Sequence, residues 1–126
     1  MKSTFAAAVL ALLGTAASAD DVLGNWKSEP GESGGFIHVN LAQCGTKICG
    51  TITDVIGNDN TSIIGRQIIA DMSPNGGGAY SGGTIWAPDN DRTYRSKMQL
   101  SGNSLEVEGC VLGGAICRGQ TWTRLN

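Results

Sequence analysis

Between Leu23 and Leu125 no stretch places apolar residues at the i, i+3, i+4, i+7 spacing of a helix for three turns. Short β-branched and aromatic runs broken by Gly, Asn, Asp and Pro recur instead. This constraint leaves strands as the only regular elements. The pattern predicts them at Leu23–Glu29, Gly35–Ala42, Cys49–Ile56, Arg66–Met72, Ala79–Trp86, Arg92–Leu100, Ser104–Cys110 and Cys117–Leu125. Strands that follow one another through short links fold as an all-β, eight-stranded antiparallel up-and-down barrel, with a sandwich as the second solution. Closure has a further argument, because 19 of the 126 residues are Gly and so Gly-rich a sheet would otherwise present vulnerable edges. No G-X-Y period accompanies that glycine, so collagen is excluded and the glycines read as turns, bulges and close backbone approaches.

Turn chemistry sets the registers. Gly102-Asn103 suits a two-residue type II′ turn. Leu100 then faces Leu105 and Met98 faces Val107 on one side, with Lys97 opposite Glu108 and Gln99 opposite Glu106 on the other. Cys44 and Cys49 flank one prospective hairpin, Cys110 and Cys117 another. Four cysteines allow three pairings, and the local ones, Cys44–Cys49 and Cys110–Cys117, are preferred because each can bridge a hairpin neck. A zinc site is the alternative, but the spacings are loose for it and the single histidine, His38, is remote, so no metal is expected. Taking 110 opposite 117 sets Trp122 beside Leu105, Gln120 beside Val107 and Arg118 beside Gly109. Taking 44 opposite 49 sets Leu41 beside Ile52, Ile37 beside Ile56 and Asp54 beside Val39.

The opening residues stand apart. Lys2, the apolar run Phe5–Leu13 and Ala17-Ser18-Ala19 have the three parts of a cleavable signal peptide over residues 1–19. The run is too short to span a bilayer. The mature domain is expected at 20–126, periplasmic or secreted, where disulfides persist. It begins with Asp20, not the cysteine of a lipoprotein. One domain is the size-based expectation, and a net charge of −2 excludes a basic nucleic-acid surface.

A closed barrel would gather Trp26, Tyr80, Trp86, Tyr94 and Trp122 inside, with Thr84, Ser96, Arg118 and Gln120 among them and Asp54 a further candidate. An aromatic wall with sparse polar groups is what a small-molecule pocket needs. The same residues could instead fill the core. Catalysis finds little support. His38 falls on the outward face, there is no G-x-S-x-G, and Glu106 and Glu108 point out, so no enzyme and no cofactor are expected. Gly76-Gly77-Gly78 opens no helix and precedes no Lys-Ser/Thr, so it is not a phosphate loop.

Gly24-Asn25-Trp26 resembles the G-x-W signature that opens the first strand of lipocalins. That resemblance implies that Trp26 closes one barrel end beneath a late arginine, with Arg124 the better match and Arg118 second. Cys44-Gly45-Thr46-Lys47-Ile48-Cys49-Gly50 and Cys117-Arg118-Gly119-Gln120-Thr121-Trp122-Thr123-Arg124 look like the signature blocks of a family of small exported bacterial proteins known only as a domain of unknown function. Gly65-Arg66 and the segment from Trp86-Ala87-Pro88 to Arg92-Thr93-Tyr94 are similar to its middle blocks, with Ala87 in place of an Asp and Asp91 in place of a Gly. The resemblance implies a lipocalin-like barrel and no activity. The functional expectation is a carrier for a small apolar or amphipathic ligand, walled by Trp86, Tyr94 and Trp122, with Arg118 and Gln120 at a polar head. The alternative is a periplasmic or envelope interaction or inhibitor module without a small ligand, working through the loops Pro30–Gly34 and Ser73–Ala79.

Overall fold

The computed structural model describes residues 21–126, so the leader expected over residues 1–19 lies outside the described residues. Eight strands follow one another around a closed barrel: β1 (Gly24–Lys27), β2 (Phe36–Cys44), β3 (Lys47–Ile56), β4 (Gln67–Gly76), β5 (Ala79–Ala87), β6 (Arg92–Ser101), β7 (Ser104–Val111) and β8 (Ile116–Arg124). Two short 3₁₀ turns, Thr61–Ile63 and Leu112–Gly114, are the only helical segments among the described residues. Every neighbouring pair is antiparallel, and β1 closes on β8 through Trp26↔Arg124 and Lys27↔Thr123.

The two ends of the barrel are built differently. At one end β2–β3, β4–β5 and β6–β7 are joined by residue pairs, Gly45-Thr46, Gly77-Gly78 and Gly102-Asn103. Gly102 has φ 61, the left-handed first position of a II′ turn that a side chain would resist. The β6–β7 ladder then runs as its turn dictates: Leu100↔Leu105, Met98↔Val107, Lys97↔Glu108. At the other end the connections are the longer segments 28–35, 57–66, 88–91 and 112–115.

The β7–β8 register is Cys110↔Cys117, Gly109↔Arg118, Val107↔Gln120 and Leu105↔Trp122, and the Cys110–Cys117 disulfide bridges a directly opposed pair with Cα atoms 4.1 Å apart. Cys44–Cys49 is also bridged, with Cα atoms 5.8 Å apart, but its hairpin differs from the expected register. The tight Gly45-Thr46 turn sets Cys44 opposite Lys47 and Cys49 opposite Ala42, so the bridge is diagonal. The ladder has slipped by two residues, which leaves every side chain on its expected face. Leu41 now meets Gly50 and Val39 meets Ile52. A bulge between His38 and Val39 then shifts the register by one, pairing His38 with Asp54 and Ile37 with Val55. Asp54 is exposed as a result and does not enter the barrel.

Strand β4 continues to Gly76, so most of Ser73–Ala79 is ladder instead of loop. The core occupies the tight-turn half. Val22, Trp26, Val39, Leu41, Ile52, Ile69, Met72 and Leu105 are all buried there. Gly50 belongs to this packing, because a Cβ on it would come within 2.8 Å of Leu41 Cδ2.

Candidate functional site

The long connections surround the open end of the barrel, and beneath them lies a cavity of about 1050 Å³. Its lining has an aliphatic depth, including Ile37, Val55, Ile68, Ile85 and Val107, and a partly polar mouth. Trp86, Tyr94, Trp122, Arg118 and Gln120 all border this one space. Trp26 and Tyr80 do not; they are buried in the core below it. The expected single chamber of all five Trp and Tyr residues is therefore split between core and cavity.

Gln120 and Tyr94 are each held by a neighbouring side chain, and among the described residues Arg118 is not. Trp122, on β8, is buried and donates its Nε1–H to Gln120 Oε1 at 2.8 Å. That bond turns the amide of Gln120 and leaves its Nε2 without an acceptor among the described residues. Arg118, four residues earlier on the same strand, lines the cavity and has no hydrogen bond or ion pair among the described residues. Tyr94, on β6, accepts a hydrogen bond from Asn90 Nδ2 at 2.8 Å, and its own hydroxyl proton remains to be donated. No buried side-chain nitrogen or oxygen lacks a partner among the described residues, so the polar groups available to a ligand are those at the mouth.

Trp86 departs from the expected geometry. The cross-strand partner of Tyr94 is Ile85, and Trp86 pairs with Thr93, on the other pleat face. The turn 88–91, closed by Asp91 N–H to the Ala87 carbonyl at 2.9 Å and by φ 55 at Asp91, sets this register. Trp86 is nevertheless buried at the rim. Arg66 lies 3.6 Å over its ring, and its Nε1–H goes to Asp91 Oδ1 at 2.8 Å. Arg66 Nη2 and Asp91 Oδ1 are 3.7 Å apart. Arg66 and Asp91 lie on two separate loops, and only the fold joins them at the site.

Thr84 also differs. It pairs with Arg95 and borders an outer groove of about 500 Å³ beside the Cys110–Cys117 bridge. Ser96 is buried, donates to the Glu108 carbonyl at 2.7 Å and does not border the cavity.

The opposite end carries its own arginine–tryptophan stack. Arg124 lies 4.4 Å over the fully buried Trp26 ring and donates to the carbonyls of Leu23 at 3.2 Å and Asp21 at 2.6 Å. Trp26 Nε1–H donates to the Val22 carbonyl at 2.9 Å. These bonds tie the incoming chain across the barrel floor.

One wall is incomplete. Strand β1 ends at Lys27 while β8 reaches back to Ile116, so the β1-facing edge of β8 has no ladder partner among the described residues from Thr121 to Ile116. The Glu29 carboxylate accepts the Thr121 N–H there, taking the place of a strand carbonyl.

The model of a family described as "Uncharacterized protein conserved in bacteria (DUF2147)" matches residues 24–124. The fold is similar to that of protein HP1028 from the human pathogen Helicobacter pylori, described as belonging to the lipocalin family, with a TM-score of 0.71, 17% identity and 84% of each chain covered. No curated relative matches the sequence. No helix among the described residues is long and apolar enough to cross a membrane.

Proposed function

The chain belongs to the bacterial family of uncharacterized conserved proteins (DUF2147), and from this premise we propose that it is an exported carrier that holds a small apolar or amphipathic molecule in its barrel. One observation carries the reading: a cavity of about 1050 Å³ whose aliphatic and aromatic lining also includes Arg118, Gln120 and Tyr94. Burial of apolar area supplies affinity, and the few polar groups fix orientation. The unpaired guanidinium of Arg118 favours an anionic head, with the Gln120 amide and the Tyr94 hydroxyl as further donors. The role is binding without catalysis. Export is supported by the leader-like opening and by the two disulfides.

The test is titration of the intrinsic tryptophan fluorescence with fatty acids, retinoids and haem, alongside thermal shift. A saturable spectral change and a raised melting temperature are expected. Silence in both assays for every ligand would overturn the reading. Arg118→Ala should weaken a carboxylate ligand about tenfold and leave its neutral alcohol analogue unchanged, since a charge-assisted hydrogen bond contributes roughly that much.

A second reading, an interaction module, is favoured by the edge of β8 between Ile116 and Gln120, which has no ladder partner among the described residues and lies beside the exposed Pro30–Gly34 loop. A free edge is a template for an added strand. Pull-down from envelope extract separates the two, because a pure carrier retains no protein partner.

A further inference from the structure

The large apolar side chains that remain exposed are not scattered. Ile64, Val111, Leu112 and Ile116 are 43%, 43%, 73% and 56% exposed, and all four belong to the open end; only Leu125, among the described residues, lies at the other. Three of them crown the β7–β8 hairpin. Its tip, Val-Leu-Gly-Gly-Ala-Ile between Cys110 and Cys117, contains no charged residue and no side-chain hydroxyl or amide. The disulfide clamps its base. Leu112 has φ 55, a left-handed conformation rare for leucine, and its side chain is the most exposed of the set.

Such a tip offers a protein partner no polar group to set register or orientation. It offers a bilayer interface what an interfacial anchor requires: aliphatic side chains on a short, preformed and uncharged crest. The neighbouring loops narrow the lipid class. Glu29, Glu32, Asp59, Asp89 and Asp91 stand in them with Arg66, and Lys27, Arg92 and Arg118 lie near the adjoining strand ends. Charges so nearly balanced give no net attraction to an anionic surface and tolerate a neutral one. The tip also borders the cavity, since Val111 and Ile116 belong to its lining.

We propose that the open end docks on a membrane surface of net-neutral lipid, with Leu112, Ile116 and Ile64 entering the headgroup–acyl boundary and the cavity mouth brought against the bilayer. The docking site stands on these exposed residues; only its purpose, taking up or delivering an apolar cargo, rests on the carrier reading.

The experiment is flotation of the purified protein, both disulfides intact, with phosphatidylcholine vesicles and with vesicles enriched in phosphatidylglycerol. The protein should float with the neutral vesicles and no better with the anionic ones. Leu112→Asn should reduce the vesicle-bound fraction about tenfold and Ile64→Asn less, from the lost apolar burial. Asn tolerates the left-handed φ at 112, so that variant should keep the fold, and unchanged near-UV circular dichroism checks this. Failure to float would overturn the proposal. So would flotation indifferent to both substitutions, or binding confined to anionic vesicles and removed by salt. Sedimentation velocity that finds a dimer dissociated by Leu112→Asn would also overturn it, by assigning the patch to a second copy. Leu112 does not line the cavity, so ligand titration of the same variant reads the carrier function separately. An unsubstituted protein that titrates ligand but does not float rejects docking alone, and one that floats but gives no titration response rejects the carrier alone.

Discussion

Both ends of the barrel place an arginine on a tryptophan, and the two pairs behave in opposite ways. Arg124 over Trp26 has its guanidinium fixed by the carbonyls of Leu23 and Asp21, and the ring beneath is wholly buried. Arg66 over Trp86 has an exposed carboxylate, Asp91, as its partner, and the ring borders an open cavity. A stack satisfied by main chain is rigid, because its partners cannot move without unfolding a strand. A stack satisfied by loop side chains can rearrange when the loops do. The same side-chain chemistry thus makes a floor at one end and an adjustable rim at the other. Connection length produces the difference: residue pairs at the floor, and segments such as 28–35 and 57–66 at the mouth.

Truncating the tryptophans separates the ends most strongly. Trp26→Ala should destabilise the protein by about 3–5 kcal/mol, the cost of a large cavity in a packed core. It also strands the Arg124 guanidinium above the gap. Trp86→Ala should cost clearly less, because its ring borders space that water already reaches, and it should weaken ligand binding instead. Equilibrium denaturation in urea measures both. Equal losses of stability would erase the distinction between floor and rim.

The arginines give a smaller contrast. Arg124→Ala should cost about 1–3 kcal/mol, because the carbonyls it leaves lose charged donors in a partly buried site. Arg124→Lys should not restore this, since a single ammonium cannot reproduce the planar fork. Arg66→Ala should cost under about 1 kcal/mol, as its ion pair with Asp91 is between side chains that are 50% and 79% exposed. A loss at Arg66 matching that at Arg124 would mean the rim is as rigid as the floor.

The floor was more legible in the sequence than the mouth, for physical reasons. A two-residue turn such as Gly102-Asn103 propagates one register along two strands, so Lys97↔Glu108 and Trp122↔Leu105 could be read from local chemistry. The Cys44–Cys49 hairpin shows the limit. Disulfide geometry admits both direct and diagonal pairs, so the bridge was readable but the register was off by two. The His38/Val39 bulge carries no such signal, and the expectation of Asp54 inside the barrel failed there. The register set by Cys110 and Cys117 aligns Arg118, Gln120 and Trp122 on one face, and all five proposed ligand residues border the cavity. Trp86 reaches it on a different pleat face from the expected one, because the four-residue turn 88–91 shifts β5 against β6. The contacts of Arg66, Asp91 and Glu29 are not legible in the sequence because their partners lie across loops, and loop closure leaves no periodic trace.

The smallest effect should come from the wall between the two ends. Lys97 stands opposite Glu108 on the outer face, as the hairpin register requires, yet the pair forms no ion pair within 4.0 Å. Both groups keep their water, so their attraction is screened and holding two flexible side chains together gains little. Reversing the sign with Lys97→Glu creates a like-charge cross-strand pair, which should cost under about 1 kcal/mol and less in high salt. Urea denaturation at low and high ionic strength measures it. A loss near that of Trp26→Ala would place stability in outer-face charge. A loss that salt abolishes leaves stability with the side chains packed over the floor.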